Sequence, residues 1–106
     1  GELPAQAFQL QTVDTLAQLG PWGQKFPAPV FEGRFKVIDY RWLKEVHLKL
    51  RLALENGQPI DAIAFNVRDK FNFDPMQDMV RIVYELDKNQ FNGNVSLQLR
   101  MLHLEQ

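Results

Sequence analysis

The dipeptide Asn-Gly occurs twice, at 56–57 and at 92–93, and each copy separates two runs in which apolar and polar residues alternate. A two-residue type I′ turn needs positive φ at both central positions, which Asn and Gly tolerate best, so each copy marks a β-hairpin. The two hairpins require four strands, at 45–55, 58–67, 79–89 and 94–104, and a fifth β-prone run precedes them at 34–41. Between the third and fourth runs, DKFNFDPMQD at 69–78 is polar and holds Pro75, so it reads as a loop with room for one helical turn.

The chain ahead of the strands has a different period. Val13, Leu16, Ala17 and Leu19 recur at helical spacing, with Thr12 placed to cap the amino end and Gly20-Pro21 to stop the helix. Gly and Pro then recur through Gly33, which excludes a regular helix or a central strand. This stretch reads as an ordered connector pinned by Trp22, Phe26 and Phe31. The expected organisation is a helix and connector over 1–33 and a β domain over 34–106. Five strands interrupted after the third match the oligonucleotide-binding (OB) barrel in number and order. The expected fold class is therefore mainly β: a five-stranded OB-fold barrel preceded by a short N-terminal helix and a Gly/Pro-rich connector. With 106 residues, 45% of them hydrophobic, the chain can furnish one core and not two. It opens on Gly1 rather than Met, so it reads as a piece of a longer polypeptide.

The turns also set a register. A two-residue turn at 56–57 would pair Leu52 with Asp61, Leu50 with Ile63 and Leu48 with Phe65 on the core face. It would set Arg51 beside Ala62, Lys49 beside Ala64 and His47 beside Asn66 on the outer face. The expected outcome is a cationic ridge over an alanine-floored trough. The turn at 92–93 would pair Leu86 with Leu99, Tyr84 with Met101 and Ile82 with His103 inward, and Glu85 with Arg100 outward.

The net charge of -1 conceals an uneven distribution: residues 34–51 hold six Lys and Arg against only Asp39 and Glu45. Arg41, Lys44, His47, Lys49 and Arg51 have the composition of a phosphate-tracking surface, with Asn66 as a polar contact at its far end. Trp42, Phe71, Phe73 and Phe91 lie in or beside loops where bases could stack, and single-strand binders combine these two features. The plainer alternative is that alternating cations solvate a sheet face while the aromatics fill a barrel.

Other chemistry finds little support. With 0 Cys and 2 His, thiol nucleophiles, disulfides and Cys-ligated metals are excluded and a His-built metal site is a poor fit. Asp61, Asp69, Asp74, Asp78 and Asp87 lack the clustered spacing of a hydrolytic metal site. No apolar run approaches the length of a membrane span and no signal peptide opens the chain, so neither a membrane nor secretion is expected.

VDTLAQLGPWGQKFPAPVF at 13–31, HLKLRL at 47–52, DAIAFNV at 61–67 and LDKNQFNGNVSLQLRML at 86–102 together resemble the C-terminal OB domain of RecJ, the bacterial single-stranded-DNA-specific 5′–3′ exonuclease. Where many members have Gly-Asn-Pro, this chain has Lys25-Phe26-Pro27. The resemblance implies a cytoplasmic parent enzyme of recombination and repair, with a DHH phosphoesterase core using Mn²⁺ or Mg²⁺. The chain has no Asp-His-His triplet, so the fragment is expected to hold no catalytic residue, metal or cofactor, and to bind and position single-stranded DNA. The implied partners are that DNA, the rest of the same polypeptide and, as a further candidate, single-strand-binding protein. The rival reading is a docking module that uses Trp22, Phe26, Phe31 and the first helix. RNA binding is a third option.

Overall fold

The computed structural model describes residues 1–18 and 28–106. Leu19, the anchors Trp22 and Phe26, and the Lys25-Phe26-Pro27 departure lie outside the described residues. A 3-10 turn at Ala5–Ala7 leads into α1 (Leu10–Gln18), followed by β1 (Phe31–Leu43), β2 (His47–Ala53), β3 (Pro59–Ala64), β4 (Met79–Phe91) and β5 (Asn94–Glu105). The strands close into a barrel in the order β1-β2-β3-β5-β4, the mainly β, five-stranded arrangement that the turn pattern requires. Among the described residues only β3 and β5 pair in parallel. Two expectations shift at the N-terminal side. The helix begins at Leu10, with Thr12 inside its first turn rather than capping it, and the first strand begins at Phe31 rather than 34.

Alternation along the strands builds the core. Leu48, Leu50 and Leu52 of β2 are fully buried, as are Ala62 and Ala64 of β3, Ile82 of β4 and Leu99 of β5. Each large apolar side chain removed from water in this way contributes roughly 1.5–3 kcal/mol. Phe8, arriving from the N-terminal segment, plugs one end of the barrel. Its ring centroid lies 6.1 Å from those of both Phe35 and Tyr84, and Phe31 adds a ring 6.0 Å from Tyr84. Phe31 thus opens β1 and packs against the barrel core. Burial, reinforced by the Glu2 carboxylate, pushes the Tyr84 hydroxyl well above the ordinary tyrosine range. The 69–78 segment is a loop of turns, held where Gln106 Oε1 accepts from the Asp74 N–H at 2.7 Å and Gln106 Nε2 donates to the Asp74 carbonyl at 2.9 Å.

The β2–β3 register differs from the sequence expectation by one residue. Leu52 faces Ile60, Leu50 faces Ala62 and Leu48 faces Ala64, while Arg51 faces Asp61 and Lys49 faces Ile63. The loop is longer than a type I′ turn. Gly57 has φ 84° but Asn56 is not left-handed, the Gly57 N–H donates to the Leu54 carbonyl at 2.8 Å, and Leu54 N–H donates to the Gln58 carbonyl at 2.8 Å. This is a three-residue loop with glycine in the left-handed position, the next commonest hairpin form. The reason is burial: a two-residue turn would drive Asp61 into the core and expose Ala62 and Ala64.

The β4–β5 hairpin keeps the type I′ turn, with Asn92 at φ 50° and Gly93 at 78°, and it pairs Leu86 with Leu99, Tyr84 with Met101 and Glu85 with Arg100 as expected. Farther on, a bulge between Val83 and Tyr84 inserts Leu102 as an extra residue, so Ile82 meets Leu104, not His103. His103 therefore points to solvent, where its Nε2 lies 3.1 Å from Glu105 Oε1. That hydrogen bond, aided by Arg81, holds the Glu105 carboxyl below the usual carboxylate range.

Candidate nucleic-acid interface

Alternation sends His47, Lys49 and Arg51 of β2 outward, whatever the partner register. The β1 and β3 pairings then arrange the outer face in rows that cross the strands. One row runs Arg41 (β1), Lys49 (β2), Ile63 (β3) and Arg100 (β5); the next runs Asp39, Arg51, Asp61 and Gln98. A shallow depression of about 250 Å³ lies along them, lined by Asp39, Tyr40, Arg41, Lys49, Leu50, Arg51 and Asp61. The expected alanine floor is absent, because Ala62 and Ala64 belong to the core. From β3 it is Asp61 that lines the depression, while Ile63, opposite Lys49, is buried.

Arg41 directly opposite Lys49 is a cross-strand pair of like charge, an arrangement that disfavours the sheet. Among the described residues Arg41 has no ion-pair partner. Lys49 has one distant carboxylate, Asp61 Oδ2 at 4.0 Å, and the other oxygen of Asp61 lies 3.9 Å from Arg51. Such separations in solvent hold charges loosely. The arrangement therefore offers two cations to an external anion without folding having any need of their proximity.

Lys44 sits at the tip of the β1–β2 turn, where it and Glu45 both take left-handed φ, 50° and 64°. His47 ties down the neighbouring backbone, because its Nδ1 accepts the Asn66 N–H at 3.0 Å and so fixes Asn66 at φ 56° beyond the end of β3. Asn66 is thus in a bend and not opposite His47 in a strand. Beside them, Phe65 is 52% exposed and meets the His47 ring edge-on at 5.3 Å. Sequence reasoning turned Phe65 inward. The clue was Asp61, whose assignment to the core signalled that the register was off by one.

The other aromatics are distributed differently. Trp42 faces inward opposite Leu48 and packs on the core, and the Arg68 guanidinium lies 4.7 Å above its ring. Phe71 and Phe73 are also packed against the core, and Phe73 contacts Tyr40 at 5.3 Å. Phe91 is 70% exposed at the tip of the β4–β5 hairpin. Strand directions put that tip at the same end of the barrel as the 55–57 loop, away from Lys44. The structure thus gathers Arg41, His47, Lys49 and Arg51 on one face with Lys44 at its margin, and leaves Phe91 apart from them. Among the described residues no group of three or more His, Asp or Glu could hold a metal ion, and no helix is long and apolar enough to cross a membrane.

A family model described as the RecJ OB domain matches residues 1–103. The chain belongs to the RecJ OB-domain family. The single-stranded-DNA-specific exonuclease RecJ of Haemophilus influenzae is 39% identical to it, over 99% of this chain and 19% of that protein. The RecJ of Dickeya dadantii is 42% identical, over 98% of the chain and 18% of its own length. The crystal structure of Thermus thermophilus RecJ in complex with Mn²⁺ superposes with a TM-score of 0.76 at 25% identity, covering 99% of this chain and 15% of that one. A second structure of the Thermus protein holds Mg²⁺. The chain thus spans about a fifth of the length of its curated RecJ relatives.

Proposed function

We propose that this RecJ OB domain binds single-stranded DNA across its β1–β2–β3 outer face and positions it for a metal-dependent exonuclease core elsewhere in the same polypeptide. The parent enzyme, by this reading, is a cytoplasmic RecJ-type nuclease of recombination and repair, using Mn²⁺ or Mg²⁺ held outside this domain. The observation that carries the reading is the Arg41–Lys49 pair beside the exposed Phe65, which meets the His47 ring edge-on. Cations there can track phosphates and Phe65 can stack a base, contacts that require no particular sequence. Lys44 extends the basic margin, and Arg51 borders it in a row shared with Asp39 and Asp61. Phe91, on its separate hairpin tip, serves only a strand long enough to wrap around the barrel, and Trp42 and Phe71 act as packing residues.

The test is a fluorescence-anisotropy titration with a labelled oligo(dT). Neutralising two to three phosphates gives a slope of log K against log salt near roughly -1.5 to -2. Arg41→Glu with Lys49→Glu should weaken binding at least tenfold, and Phe65→Ala by a factor of about five to one hundred, the range expected for one stacked base. Unchanged binding by the folded double variant removes the proposed track. Competition by oligo(rU) decides between DNA and RNA.

The rival, a docking module, loses part of its adhesive because Phe31 is committed to the barrel. A dissociation constant weaker than ~10⁻⁴ M at physiological salt would favour it. Single-strand-binding protein as a partner can be tested in the same format, with that protein added as an unlabelled titrant.

A further inference from the structure

We infer that Asp61 limits affinity in the proposed DNA track: its carboxylate competes with phosphate for Lys49 and Arg51 and, with Asp39, confines a bound strand to the Arg41–Lys49 row. This rests on the reading of the face as a single-strand track. Asp61 is solvent-facing on β3, with 36% of its side chain exposed, and neither oxygen comes closer to a cation than 3.9 Å. A partly exposed pair at that separation adds little to stability, so a neutral residue would serve the fold equally well.

The position of Asp61 is nonetheless specific. In register, Arg51 has Asp61 on one side, with Oδ1 at 3.9 Å, and on the other Asp39, whose Oδ1 accepts the Tyr40 N–H at 2.8 Å, so the row carries two carboxylates and one guanidinium. The neighbouring row presents Arg41 and Lys49 with Ile63 in the third place, and therefore keeps its positive charge. A polyanion crossing the strands is drawn to the second row and repelled from the first. Phosphate approaching Lys49 also meets the like charge of the Asp61 carboxylate, 4.0 Å from the ammonium, which subtracts from the gain of counterion release. A strand that advances during exonucleolysis has to be released at each step, and a carboxylate among the cations keeps the hold weak enough for that.

Asp61→Asn should tighten oligo(dT) binding three- to tenfold at low salt and steepen the salt slope by about 0.7, whereas a residue with only a structural role would leave that slope unmoved. Asp39→Asn is the second variant, exposed on β1, and it should act in the same direction; circular dichroism checks that both are folded. Lys49→Glu is measured alongside. If Lys49→Glu weakens binding while both asparagine variants leave affinity and slope unchanged, the inference about Asp61 is overturned and the track stands. If Lys49→Glu has no effect, both fall.

Discussion

The two Asn-Gly hairpins share a dipeptide and differ in geometry. At 92–93 both residues take positive φ and the strands meet across a two-residue turn; at 56–57 only the glycine does, and the loop is one residue longer. The flanking strands account for the difference. In β5 the two-residue turn already brings Leu99 and Met101 inward. In β3 the same turn would bury Asp61, so the strand's apolar set, Ile60, Ala62 and Ala64, selects the other loop. Turn chemistry permits a register, and burial chooses it.

The strongest way to break this comparison is to add a charge on the inner side of β3 and remove the one on its outer side. Ala62 is fully buried, so Ala62→Asp should cost ~4 kcal/mol or more and abolish a cooperative thermal transition in circular dichroism. Asp61→Ala should stay within about 0.5 kcal/mol of the parent chain, since its ion pairs are long and open to solvent on at least one side. The reverse ranking would restore the two-residue turn and an alanine-floored trough.

The same physics determines what could be read in advance. Strand number and order follow from alternation and turn residues, both local signals, and so does the outward direction of His47, Lys49 and Arg51, which depends on β2 alone. The floor beneath them was not legible, because it depends on pairing between strands, and a one-residue change in loop length inverts β3. Two bulges were equally hidden. Ile38 and Leu102 are extra residues that interrupt alternation and leave apolar side chains 51% and 45% exposed. Contacts distant in sequence, such as Arg68 over Trp42, leave no periodic trace. RecJ resemblance supplied the family but not these details.

Tyr84 stands where the regular register of the second hairpin ends, and pH probes it. Its hydroxyl ionises near the ordinary 10.0 when unfolded, while burial first and Glu2 second raise that value in the folded chain. The folded state therefore holds more protons above pH 10. The stabilisation is complete below the unfolded value and is lost as pH rises towards the folded one, by up to ~1.4 kcal/mol per pH unit. Urea midpoints between pH 9 and 11 should fall more steeply for the parent chain than for Tyr84→Phe. Equal slopes would mean that the hydroxyl is not shielded by the barrel-end plug.

The smallest effects distinguish the two turns most directly. At Asn92, with φ 50°, glycine adopts the required conformation without strain, so Asn92→Gly should lie within about 0.5 kcal/mol of the parent chain and Asn92→Ala should cost ~1 kcal/mol. At Asn56 the order inverts. Its backbone is not left-handed and its Oδ1 accepts the Gln58 N–H at 2.9 Å. Alanine there loses one exposed hydrogen bond, about 0.5 kcal/mol, while glycine loses that bond and adds unfolded-state entropy, for a total of ~1 kcal/mol. Four urea denaturation curves measure the inversion. If alanine were the worse substitution at both positions, the two loops would share one conformation, and the register that places Asp61 among the cations would have to be abandoned.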